Sequence, residues 1–173
     1  MVYNIHPILV HFPIAMLFIY SIIKILPLKK WLPTVAWKDI ERILLLVGVL
    51  GAFAALATGD TAEHLTHPNR QLVDMHATFA SLSTWIYSAL LVGEFAAIIN
   101  AKNYVYKKGW QWIASILQFL EKVLCNTAFS IILAIIGFIA ISVTGMLGGV
   151  IAYGLSADPI APALLKVLGI TLS

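Results

Sequence analysis

The chain has 173 residues, of which 61% are hydrophobic and only 11% are charged, and its mean hydropathy is +0.93. A soluble domain carries about 25% charged residues, so this chain lacks the polar side chains to cover a globule in water. The composition therefore excludes a soluble enzyme, a disordered chain and most nucleic-acid binders. The single cysteine excludes an internal disulfide and a cysteine-rich metal site.

Four apolar segments are long enough to cross a bilayer, which takes about 20 residues per helix. They are predicted over residues 7–26, 40–58, 75–99 and 129–153. We interpret the whole chain, residues 1–173, as a single all-α transmembrane domain, an integral membrane four-helix bundle. The amphipathic segment from Trp110 to Leu124 predicts an interfacial helix, or an early start of the fourth span. The apolar tail from Pro159 to Leu172 is expected at the outer interface or on a partner.

The basic residues predict the orientation of the chain in the membrane. Nine of the eleven lysines and arginines lie in the links after the first and third spans, and only Arg70 and Lys166 lie on the other side. The positive-inside rule then places both links in the cytoplasm and both termini outside. We therefore expect a protein integral to the cytoplasmic membrane, whose pI near 9.0 reflects topology rather than nucleic-acid binding.

The chain contains an internal repeat. In the second span, Gly51-x-x-Ala54-x-x-x-Thr58-Gly59 matches Gly137-x-x-Ala140-x-x-x-Thr144-Gly145 in the fourth. The first and third spans correspond more weakly, through His11-x-x-x-Ala15 and His76-x-x-x-Ala80. The pattern predicts two helical hairpins related by a pseudo-twofold axis along the membrane normal. Coincidence among small residues that are common in membrane helices is the alternative.

All the histidines fall on the predicted outer side of the membrane: His6, His11, His64, His67 and His76. Ionisable residues near a bilayer are costly and are often functional. Five on one side favour a metal centre over scattered polar residues at helix ends. Imidazole suits zinc, copper and iron, and the absence of an HExxH sequence leaves a metalloprotease without support.

A b-type haem needs one imidazole on each face of its ring. The pseudo-twofold axis would bring His11 and His76 together, so we predict these two as the iron ligands. A metal-bound imidazole usually donates its second N–H to an oxygen, and arginine pairs well with a haem propionate. The predicted supporting residues are accordingly Thr58, Asp60 and Thr144 around the imidazoles, Arg70 at a propionate, and His6 at a quinone, a propionate or a different metal.

The opening segment His6-Pro7-Ile8-Leu9-Val10-His11-Phe12-Pro13-Ile14-Ala15 resembles a family of small prokaryotic four-helix membrane proteins. The same resemblance covers Thr58-Gly59-Asp60, His76 and the run from Thr144 to Gly149. Relatives in that family are found fused or adjacent to Rieske-type and cytochrome c modules. The resemblance therefore implies a redox setting.

We therefore expect an electron-transfer membrane protein or subunit that passes electrons between the quinone pool and an external redox partner. It is expected to act as a redox subunit rather than as an independent enzyme. One alternative is a non-haem metal protein that uses His6, His11, His76 and Asp60. The other is a cofactor-free membrane anchor of a larger complex. Glu94, inside the third span, is interpreted as a proton-transfer group or a snorkelling surface acid.

Overall fold

A computed structural model describes residues 4–66, 68–103, 105 and 109–170 of the chain. The helices in this part are α1 (His6–Ile25), α2 (Leu28–Trp31), α3 (Trp37–Thr66), α4 (Arg70–Ala101), α5 (Gln111–Leu124), α6 (Thr127–Tyr153) and α7 (Ala161–Val167), with one turn of 3₁₀ helix at Leu155–Ala157. Four of them, α1, α3, α4 and α6, are long and apolar enough to cross a membrane. The prediction of an all-α four-helix membrane bundle is confirmed.

Three of the four long helices, α3, α4 and α6, are longer than the spans predicted from hydropathy, and local signals set several of the helix ends. The α4 helix starts at Arg70 because the Asn69 side chain accepts a hydrogen bond from the Leu72 N–H at 3.2 Å. The α6 helix ends where Gly154 adopts a φ of 78°, a conformation that suits glycine. The α3 helix continues past the predicted end through polar residues to Thr66. Hydropathy thus marks the part of a helix that lies in hydrocarbon, whereas capping sets its ends.

The two segments predicted outside the spans are both helical. The α5 helix packs on α4, where the Asn100 amide donates to the Glu121 carboxylate at 2.6 Å. The opposite face of α5 exposes Trp112 and Phe119, as an interfacial helix would. In the tail, Leu165 of α7 is buried against α4 and α6, so this part of the tail docks on its own bundle.

The four long helices form a closed ring of neighbours. The α1 helix packs on α3 and α6, and α4 also packs on α3 and α6, so α1 and α4 occupy opposite corners. Their long side chains meet across the centre, where Tyr20 and Tyr87 contact edge to face with ring centroids 6.0 Å apart. We call the end where α1 and α4 begin the histidine end, and the opposite end the lysine end.

At the lysine end, Glu94 of α4 is buried and ion-paired. Its carboxylate lies 2.7 Å from the Lys38 ammonium and 3.1 Å from the Arg42 guanidinium, both on α3. Only 6% of Glu94 is exposed, so it is not the snorkelling surface acid that the sequence allowed. It ties the second hairpin to the first, which is a role that a buried acid can fill only with cations beside it.

Two glycines of the internal repeat, Gly137 and Gly145, both lie in α6 but differ in how closely another helix packs against them. A Cβ atom on Gly137 would lie 2.9 Å from the buried Tyr87 ring, whereas one on Gly145 would meet Ile14 at an ordinary 3.8 Å. We expect Gly137→Ala to lower the free energy of unfolding by about 1–3 kcal/mol, measured by denaturant titration in detergent micelles. Gly145→Ala is the matched control and is expected to lose nothing, because alanine favours the helix. Equal stability of the two variants would contradict this packing.

Candidate functional site

His76 of α4 is held by α6 at the histidine end. Its Nδ1 lies 3.0 Å from the backbone carbonyl oxygen of Thr144. A Cβ atom on Gly148 would lie 3.2 Å from the His76 Cε1 atom, so the imidazole occupies the space that this glycine leaves. A carbonyl oxygen can only accept, so Nδ1 carries the proton and Nε2 of the neutral ring has a free lone pair.

His6 of α1 is held in a similar way by α3. Its Nδ1 lies 3.0 Å from the Thr58 hydroxyl oxygen. That hydroxyl has a single proton, which it donates to the carbonyl oxygens of Ala54 and Ala55 at 3.2 and 3.0 Å. With its proton on those carbonyl oxygens, the hydroxyl accepts from His6, and Nδ1 carries the proton in that arrangement. His6 also presents Nε2 as a lone pair.

The two imidazoles come from opposite corners of the bundle and both lie at its histidine end. Their partners, Thr58 and Thr144, are the equivalent threonines of the internal repeat. The structure therefore gives each hairpin one histidine that is bound to its own repeat threonine.

The pattern of burial also aligns His6, rather than His11, with His76. The positions 7, 11, 14 and 17 residues after His6 are all buried, and so are the same four positions after His76: Pro13, Leu17, Tyr20 and Ile23 in α1, and Ser83, Tyr87, Leu90 and Gly93 in α4. These spacings return to one face of an α-helix. Both histidines therefore lie on the buried face of their helix, at the histidine end of the bundle.

His11, the predicted partner of His76, lies on a different face of α1. It is exposed, and its Nδ1 donates to the backbone carbonyl of Pro7 one turn earlier in the same helix. This bond also leaves Nε2 as a lone pair, but the ring points away from the buried stripe. The assignment of His11 and His76 as a ligand pair stays a prediction.

The other predicted site residues that the structure describes are exposed at the surface. Asp60 and Arg70 are exposed, and neither side chain makes a hydrogen bond or ion pair within the described parts of the chain. His64 is exposed and lies within α3, and His67 lies outside the described residues. Of the predicted set, the structure pairs His6 with Thr58 and His76 with Thr144.

A family model supports the membrane assignment. The model, described as a predicted membrane protein (DUF2231), matches residues 3–158 and so covers all four spans and both bound histidines. The chain belongs to the DUF2231 family. No curated protein and no solved structure matches it. The family description establishes a membrane protein, and the chemistry of this DUF2231 chain must be argued from its own residues.

Few metal donors are grouped together in the described part of this DUF2231 protein. Among the described residues, no group of three or more histidine, cysteine, aspartate or glutamate side chains is placed to hold a metal ion. Structural zinc sites need four protein ligands and catalytic ones three. His6 and His76 supply two imidazole nitrogens, which is the number of axial positions on a haem iron.

The tautomers derived above can be tested by ¹⁵N NMR of histidine-labelled protein. We expect both His6 and His76 to be protonated at Nδ1 in the wild type. Thr58→Val removes the acceptor of His6, and a hydrogen bond is worth about 0.5–1.5 kcal/mol. The tautomer ratio of His6 should therefore shift by about twofold to tenfold toward Nε2–H.

Thr144→Val is the matched control, because the acceptor of His76 is the Thr144 backbone and survives the substitution. The His76 tautomer should stay as it is in the wild type. An unchanged His6 ring in Thr58→Val would show that Thr58 does not hold it.

Proposed function

We propose that this protein is a membrane electron-transfer protein or subunit that holds a b-type haem at its histidine end. The proposed iron ligands are the Nε2 atoms of His6 and His76. The observation that carries the proposal is the pair of imidazoles from opposite helices, each fixed through Nδ1 with Nε2 left free. Hydrogen bonds of this kind orient ligand imidazoles and raise their basicity.

The donor chemistry fits a haem better than a bare metal ion. A haem brings four ring nitrogens of its own and asks the protein for two axial ligands, whereas zinc or non-haem iron asks for three or more. Neutral imidazoles that enter from two different helices meet that need. When bound, the haem would supply one-electron chemistry, with a potential set by its ligands and its burial.

The chain's own residues have separate roles in this proposal. Thr58 and the Thr144 carbonyl hold the two rings and fix their tautomers. The exposed guanidinium of Arg70, at the start of α4, is available for a propionate. His11 is the rival ligand, because its Nε2 is also free and it lies about 7.5 Å along α1 from His6.

The expected setting is the cytoplasmic membrane, with the histidine end and both termini outside. The distribution of lysine and arginine supports this orientation. Electrons would then pass between the quinone pool and a redox partner on the outer side, within a larger membrane complex. This protein would carry electrons rather than catalyse bond chemistry by itself.

The proposal is tested by loading the purified full-length protein with haem and recording reduced-minus-oxidised spectra. We expect the bands of a low-spin iron with two imidazole ligands. His6→Ala and His76→Ala should each lower haem retention by about tenfold or more, since each removes an axial ligand. His11→Ala and His64→Ala are the matched controls and should retain the bands.

Three other outcomes would each overturn part of the proposal. Bands lost in His11→Ala but kept in His6→Ala would assign the ligand pair to His11 and His76. A spectrum without haem bands, together with bound copper, zinc or iron by elemental analysis, would assign a non-haem metal protein. A sample with neither haem nor metal would favour a membrane anchor.

A further inference from the structure

A groove lies at the lysine end, between α2 and the start of α3. Its volume is about 370 Å³, and its lining residues are Lys29, Pro33, Val35, Ala36, Trp37 and Lys38. The link that forms it is folded back on itself, because the Trp37 indole N–H donates to the Leu32 carbonyl at 2.9 Å. We call it the Lys29–Lys38 groove.

The two lysines of the groove each pair with a buried carboxylate. The Lys29 ammonium lies 2.9 Å from Glu41, and the Lys38 ammonium lies 2.7 Å from Glu94. Both glutamate side chains are at most 8% exposed, whereas the two lysine side chains are 56% and 46% exposed. An ammonium has three protons, so each lysine retains donors for a second anion on its exposed side.

The buried acids do not neutralise this region. Glu41 is also approached by Lys24 at 3.6 Å, and Glu94 by Arg42 at 3.1 Å. The Glu41 oxygens accept no well-aligned hydrogen bond from the described residues, so the ammonium charges are what compensate them. Asp39 is a third carboxylate, 3.6 Å from Arg42, so four cations face three carboxylates and a net charge of +1 remains beside the groove.

The depth of the groove in the membrane indicates which anion it would meet. It lies where two spanning helices leave the membrane, and tryptophan is enriched at that depth. Trp31, 63% exposed, lies in α2 beside the groove, and Trp37 lines it. Clusters of lysine and arginine on the cytoplasmic side of membrane helices bind anionic headgroups. The phosphate of a lipid is the anion that is always present at this depth.

We propose that the Lys29–Lys38 groove binds the headgroup of an anionic phospholipid. The two ammonium groups bridge the buried glutamates and the lipid phosphate, so that the lipid extends the ion-pair network that joins α1, α3 and α4. The proposal does not depend on the haem assignment, because the groove lies at the opposite end of the bundle.

The test is native mass spectrometry of the full chain equilibrated with equal amounts of phosphatidylglycerol and phosphatidylcholine. We expect phosphatidylglycerol to be retained about tenfold more than phosphatidylcholine. The double variant Lys29→Gln, Lys38→Gln should lose this preference. Lys30→Gln removes one positive charge from a neighbouring lysine that does not line the groove, and it should keep the preference.

The double variant also removes the partners of Glu41 and Glu94, so a second variant separates lipid binding from folding. Ala36→Glu places a negative charge in the groove but leaves both lysine–glutamate pairs intact, and it should lose the preference with unchanged helical content by circular dichroism. Equal retention of the two lipids by the wild type would overturn the proposal. So would an unchanged preference in Ala36→Glu, or release of the lipid by millimolar inorganic phosphate.

Discussion

Inside a bilayer, a polar side chain buried in a bundle can bond only to other protein groups, and this constraint organises both ends of the molecule. At the histidine end, His6 and His76 give their Nδ1 protons to α3 and α6. At the lysine end, Glu94 is held between Lys38 and Arg42. Each of these contacts joins two helices, so the contacts that satisfy the polar groups also fix the arrangement of the bundle.

The histidine end and the lysine end of the bundle differ in which polar atoms of the described residues remain without a protein partner. The carboxylates of Glu41 and Glu94 are each surrounded by two cations, and breaking such a buried pair is costly. Each bound imidazole uses one nitrogen for the structure and keeps the other free. The histidine end therefore holds two imidazoles by one nitrogen each, whereas the lysine end joins helices and carries positive charge at its surface.

The histidines show how far sequence reasoning reached. The repeat found the two threonines that hold imidazoles, whereas the assignment of His11 as the equivalent of His76, made through a shared alanine, stays a prediction. The spacing from His6 to Pro13, Leu17 and Tyr20 returns to one helix face, whereas His11 lies about 140° away around the axis. That signal was present in the sequence, but it needed the buried face of α1, which depends on the neighbours that α1 contacts.

The sequence by itself determined the all-α class, the four spans and the end of the bundle at which the histidines lie. These properties depend on transfer free energies summed along the chain, and no knowledge of contacts is needed to add them. Only the tertiary structure decided that Glu94 is buried between cations, that α7 docks on the bundle, and which groups hold the imidazoles of His6 and His76. Each of these depends on a distance between atoms that are far apart in the chain, such as the 52 residues between His6 and Thr58, and helix packing alone fixes those distances.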